Sequence, residues 1–136
     1  MSDPVARPVP VLDDLTRQFW TGGARGELRI TSCKQCAALF HPPAPICPHC
    51  ASRDVGHVTT SGRGVVDSFT VVRRPWIPGY DVPYVVARVR LVDQPEVVLV
   101  SNIVECPLEI LRIGMEVRAT FEVRGDVHVP MFRPAP

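Results

Sequence analysis

The chain has 136 residues, 46% of them hydrophobic, with a formal net charge of +1. That length suits one domain with a small appendage, and the composition is that of a globular protein, not a disordered one. Near-neutral charge excludes the broad basic surface of a phosphate-backbone binder, and no apolar run approaches the roughly 18 residues of a bilayer span. Residues 1–10 lack the apolar stretch of a signal peptide, so the expected location is cytoplasmic.

Residues 1–11 hold Pro4, Pro8 and Pro10 and read as an extended arm or interdomain linker. Residues 12–26 predict a short helix. Asp13 or Asp14 caps it, Leu12, Leu15 and Phe19 share one face with Trp20 adjoining, and Gly22-Gly23 ends it. Two to three turns are too few to be stable alone. The aromatic end must therefore dock, either on its own domain or on a partner.

Residues 27–60 carry Cys33-x2-Cys36 and Cys47-x2-Cys50, ten residues apart. Each pair aims two thiolates into one tetrahedron from a tight turn, and two such turns complete a four-cysteine zinc site. Five cysteines in a chain without an export signal favour metal ligation over disulfides. Four protein ligands leave no open position, so the expected Zn2+ is single and structural. Iron in a rubredoxin-like site is the competing metal. Ala37 and Ala51 stand where such turns often place glycine, which predicts some backbone strain. His41 and His49 lie close in sequence and are not expected to ligate. Short strands are expected at 27–31, 39–40 and 58–60.

Residues 61–136 read as all-β. Gly62 and Gly64 open a strand at 65–73. Residues 85–91 alternate between apolar and basic, residues 97–104 are nearly continuously apolar, and residues 117–124 alternate again before a last strand at 127–132. Pro107 to Gly114 predicts a helical turn between the third and fourth strands. Five strands with that insertion match an OB-type Greek-key barrel.

No catalytic constellation is evident: the chain has no GxSxG, HExxH, P-loop or dinucleotide fingerprint. Asp13-Asp14 fits helix capping, Asp67 is expected to face solvent, and Cys106 reads as a small buried apolar residue. The most suggestive segment outside the metal site is Arg73-Arg74-Pro75-Trp76-Ile77-Pro78-Gly79-Tyr80-Asp81-Val82-Pro83-Tyr84. Its prolines present Trp76, Tyr80 and Tyr84 at low ordering cost, and Arg73 and Arg74 suit phosphate pairing. The other reading is a rigid hairpin loop covering the barrel's end. Arg88, Arg90, Arg118 and Arg124 on alternating strands would suit a single-stranded nucleic acid, but the charge and the few aromatics argue against one.

Taken in order, Phe19-Trp20, the four cysteines with Phe40-His41-Pro42-Pro43 between them, Gly62-Arg63-Gly64, Ser68-Phe69-Thr70-Val71, the Pro75–Tyr84 loop, Leu111-Arg112-Ile113-Gly114-Met115 and Phe132-Arg133-Pro134 carry a resemblance. Over roughly residues 13–134 the chain resembles the zinc-ribbon/OB-fold family known as domain of unknown function 35, which is linked to acyl-CoA metabolism. The resemblance implies an accessory, non-catalytic partner of thiolase-like or lipid-transfer-protein-like enzymes. The reactions it implies are acyl-CoA thiolysis, polyketide-like condensation and retro-aldol cleavage of steroid side-chain CoA thioesters. It implies that the barrel helps form the acyl-CoA channel, with Phe19, Trp20, Arg73, Arg74, Trp76, Tyr80 and Tyr84 as residues for acyl-CoA or partner contact.

Overall fold

The computed structural model describes residues 7–136. Residues 1–6 of the expected arm lie outside the described residues. Helix α1 (Arg17–Thr21) is followed by β1 (Arg29–Cys33), β2 (Leu39–Phe40), β3 (Val55–Thr59), β4 (Arg63–Val72), β5 (Tyr84–Leu91), β6 (Val98–Ile103), β7 (Glu116–Arg124) and β8 (Val127–Pro134). The first three strands form an antiparallel sheet in the order β2-β1-β3, and the last five close into a barrel in the order β4-β5-β6-β8-β7. That order is the OB topology expected from the strand pattern. Among the described residues, no helix is long and apolar enough to cross a membrane.

The N-terminal helix is shorter than the span of 12–26 expected for it. Asp13 does organise its start. The Asp13 carboxylate accepts the N–H groups of Leu15 (2.9 Å) and Thr16 (2.8 Å) and the Thr16 hydroxyl (3.0 Å). The N–H of Thr16 holds the carboxyl below its ordinary range. The α-helical part covers only residues 17–21, after which residues 22–25 tighten into a 3-10 turn. The helix ends at Gly22, where the Gly22-Gly23 pair predicts, and a side chain at Gly23 would overlap the Phe121 ring, so the backbone lies directly on β7. Phe19 packs against the barrel core, so the helix docks on its own chain.

The barrel core contains Phe132, Val66, Val89, Leu91, Leu99 and Val117, all essentially inaccessible to water. They come from the inward positions of the alternating strands. Leu28 and Ile30, both 1% exposed, belong to this same core although they lie at the ribbon's entrance. Strand β1 therefore enters the barrel core at one end and reaches the cysteines at the other. A bulge at Asp67 shifts the β4–β5 register between Val66 and Ser68.

Two local expectations need correction. The segment from Pro107 to Gly114 forms successive turns, not a helix. The N–H of Ile110 bonds to the Pro107 carbonyl, and that of Leu111 to the Leu108 carbonyl, each a three-residue closure. A further turn closes from the Met115 N–H to the Arg112 carbonyl, and Gly114 within it, at φ +89°, sends its own N–H to the Val66 carbonyl and returns the chain to the barrel. Cys106 is half-buried instead of enclosed. Its Sγ donates to the Pro107 carbonyl at 3.4 Å, at the edge of the core.

Candidate functional site

The four cysteines converge from two turns of the same design. Cys33 ends β1, and its N–H bonds to the Ala38 carbonyl (2.9 Å), while the Ala37 N–H bonds back to the Cys33 carbonyl (2.9 Å). Cys47 repeats both bonds with Ser52 and Ala51, again at 2.9 Å. Ala37 and Ala51 take φ values of +64° and +62°, so the strain expected at these alanines is present. Inside each turn a peptide N–H points at a sulfur: Cys36 to Cys33 Sγ and His49 to Cys47 Sγ, both at 3.4 Å.

All four sulfurs lie within 4.8 Å of one another, with Cys33–Cys50 at 3.5 Å and Cys36–Cys47 at 3.7 Å. Four thiolates about 2.3 Å from a central Zn2+ would stand about 3.8 Å apart at the corners of a tetrahedron. The spacing fits the ion. So does the electrostatics. The N–H of Cys36 draws the Cys33 thiol down to about 6. The Ser52 N–H favours the Cys50 thiolate in the same way, yet the neighbouring Cys33, Cys36 and Cys47 side chains push it up to about 12. Without a cation the four sulfurs cannot all ionise, and a divalent metal removes that conflict. Cys33 and Cys47 are buried and Cys36 and Cys50 exposed, so the closed site sits at the ribbon tip. The zinc is structural.

Among the described residues, the close metal-ligand group consists of Cys33, Cys36, Cys47 and Cys50, and His41 and His49 stand outside it. His41 turns instead to Phe19, ring centroids 4.8 Å apart, and burial holds its pKa down to about 4. It lies in a second feature, a cleft of about 440 Å3 between α1, the ribbon and the barrel. Phe19, Trp20, His41, Tyr80, Leu99 and Asn102 are among its walls. Phe19 and Trp20 meet edge to face at 4.8 Å. One end is bounded by Arg7 and Pro8. The Arg7 guanidinium stands 4.8 Å from the Tyr80 ring and 5.4 Å from that of Tyr84, and Arg124 donates to the Pro8 carbonyl at 3.1 Å.

Two family models match consecutive parts of the chain. Residues 20–56 match the ChsH2 rubredoxin-like zinc ribbon domain, and residues 57–122 match the ChsH2 C-terminal OB-fold domain. A solved structure described as the Ltp2-ChsH2(DUF35) aldolase contains a chain that is 35% identical. The superposition has a TM-score of 0.82 and covers 94% of this chain and 100% of that one. The chain belongs to the ChsH2 (DUF35) zinc-ribbon/OB-fold family. It is 35% identical over 99 residues to a "DUF35 domain-containing scaffold protein" of Methanothermobacter thermautotrophicus, covering 71% of this chain and 73% of that protein. It is also 37% identical over 119 residues to the "3-oxo-4,17-pregnadiene-20-carboxyl-CoA hydratase alpha subunit" of Mycobacterium tuberculosis, covering 88% of this chain. The chain spans only 37% to 40% of the length of the hydratase alpha subunits that it matches.

Within this family member, the seven residues singled out for acyl-CoA or partner contact fall into two places. Phe19, Trp20 and Tyr80 line the cleft, with Tyr84 joined to Tyr80 through Arg7. Arg73, Arg74 and Trp76 border a separate hollow at the end of β4, where Trp76 is 85% exposed. The nucleic-acid arginines do not form one free groove. Arg90 and Arg88 face Asp67 at 3.1 Å and 3.9 Å, and Arg124 pairs with Glu122 at 2.6 Å. Sequence reasoning missed His41 and Asn102 as cleft residues, and it missed Gln94. The Gln94 amide accepts the Leu39 N–H (3.0 Å) and donates to the Leu39 carbonyl (2.9 Å), which ties barrel to ribbon. The aromatic and proline neighbours of His41 were a usable signal. Nothing around Gln94 was.

Proposed function

We propose that this chain is a non-catalytic accessory subunit of a complex acting on a CoA thioester, and that it docks on a thiolase-fold enzyme. The reaction is thiolysis or retro-aldol cleavage, with steroid side-chain thioesters the favoured substrate class. The observation that carries this reading is the similarity to the aldolase subunit, which extends over all of that chain at 35% identity. Two features of the molecule support it. The four-thiolate metal site has no vacant ligand position, so it offers no reacting centre. The cleft beside α1 and the exposed Trp76 give apolar and aromatic surface next to arginines, which suits an amphiphile with an acyl chain and a phosphorylated head. In this reading the partner carries the catalytic groups, and Phe19, Trp20, Arg73, Arg74, Trp76, Tyr80 and Tyr84 line the channel or the interface.

Co-expression with thiolase-like enzymes of the same genome tests the proposal. A stable hetero-complex is expected, with turnover of the CoA thioester lost when this chain is withheld. A chain that elutes alone beside a fully active partner would overturn it.

A further inference from the structure

The barrel presents a row of arginines on its outer face. In the strand register, Arg63 on β4 stands opposite Arg118 on β7, and Arg118 stands opposite Arg133 on β8. Residues directly opposite in antiparallel strands point to the same face, and neighbouring strands lie about 4.8 Å apart. Three guanidinium stems thus rise side by side from adjacent strands. Like charges in this arrangement repel, so the row costs the fold stability unless something neutralises it.

The chain supplies little neutralisation. Among the described residues, no carboxylate forms an ion pair with Arg63 or Arg118. Arg133 reaches Glu105 through Nη1 at 3.5 Å, while its Nε–H is buried without an acceptor. Glu116 follows the same face of β7 two residues before Arg118, and Asp93 near Arg63 is taken up by the N–H and hydroxyl of Ser61. A hollow of about 300 Å3 adjoins the row, walled by Arg118, Arg133, Glu105 and the proline-containing segment 134–136.

We propose that Arg63, Arg118 and Arg133 form a binding site for a small oxyanion of the phosphate class, a pyrophosphate or phosphomonoester group. Guanidinium forks offer paired donors that match phosphate oxygens, and three in a row suit a multiply charged group better than a single carboxylate. The site is distinct from the aromatic loop. Arg63 begins β4 and the loop follows its other end, beyond Val72. The site needs no partner enzyme, so it stands apart from the function proposed above.

Titrating inorganic pyrophosphate into the zinc-loaded full chain by calorimetry tests the site. Saturable binding is expected, weakened about tenfold by Arg118→Gln and abolished in Arg63→Gln/Arg118→Gln. Arg88→Gln/Arg90→Gln, which removes two arginines from elsewhere on the outer face, should leave it unchanged. Thermal unfolding supplies a readout that a merely structural role would not move. Without ligand, Arg118→Gln should melt at or above the wild-type temperature, and the rise that pyrophosphate produces in the wild type should be absent. No binding, or equal loss in the Arg88/Arg90 variant, overturns the proposal. So does binding that appears only with single-stranded oligonucleotides, since that would make the row part of a nucleic-acid surface.

Discussion

The ribbon tip and the barrel solve the same problem by different means. The barrel excludes water with a continuous set of aliphatic and aromatic side chains, from Leu28 to Phe132. The ribbon tip has Cys33, Phe40 and Cys47 as its buried cluster, with Ala44 and Val55 beside them. So few apolar groups cannot offset the conformational entropy of residues 33–55. The metal does that work, because zinc binding in small sites contributes folding free energy on the order of 10 kcal/mol. One region is held by area and the other by coordination. The zinc therefore accounts for shape, not for chemistry.

Removing the metal should break this comparison most severely. Cys36→Ser, or a strong chelator, should abolish amide protection across residues 33–55 and disrupt assembly with the partner. The barrel amides should stay protected, because their core contains none of the ligands. Hydrogen exchange followed by mass spectrometry reads both regions at once. A soluble variant that keeps ribbon protection and loses only turnover would contradict a structural zinc.

Leu28→Ala tests the border between the regions. Leu28 lies just ahead of the ribbon's first strand but is buried in the barrel. The loss should be about 2–5 kcal/mol of global stability, as for a core leucine. Denaturant unfolding of zinc-loaded protein measures it. A loss confined to the ribbon would place Leu28 on the other side of the border.

Gln94→Ala should cost less, about 1–2 kcal/mol, since it removes two hydrogen bonds and leaves the Leu39 peptide groups seeking partners. The same unfolding experiment should show the loss in the ribbon, with the barrel transition unchanged.

Gln94 also marks the limit of what the sequence discloses. The cysteine pairs, the alternation of β5 and β7 and the left-handed alanines at 37 and 51 are local signals, so they were legible. Gly22-Gly23 marked the end of the helix but not its seat on β7, because the close approach of Gly23 to Phe121 involves residues 98 positions apart. The turns at 107–114 failed for a related reason: the Gly114 N–H has its acceptor at Val66. The cleft joins α1, the ribbon, β6 and the loop before β5, and no single segment carries its pattern. Local chemistry gave the zinc site and the strands, while tertiary contacts decided where elements sit and which side chains share a cavity.

An effect of similar size should separate the cleft from the metal site by pH. Burial lowers the His41 pKa from 6.5 to about 4, so the folded chain resists a proton that the unfolded chain accepts. Stability fully present above pH 6.5 is therefore lost as the pH falls toward 4, by about 1–2 kcal/mol for a partly accessible ring. His41→Leu should flatten that slope at constant zinc content. An unchanged slope would assign the acid sensitivity to the thiolates instead.

The smallest predicted change acts on the strained turns. Ala37 and Ala51 hold left-handed φ values that cost an L-residue about 1 kcal/mol, part of which glycine returns as extra freedom in the unfolded chain. Ala37→Gly should thus gain only a few tenths of a kcal/mol. The gain should show as slower zinc release to a chelator, because the turn also aims the Cys36 N–H at Cys33 Sγ. Barrel unfolding should not change. If it did, the metal turn and the barrel core would be one cooperative unit, and the division between coordination and area would hold only for equilibrium burial.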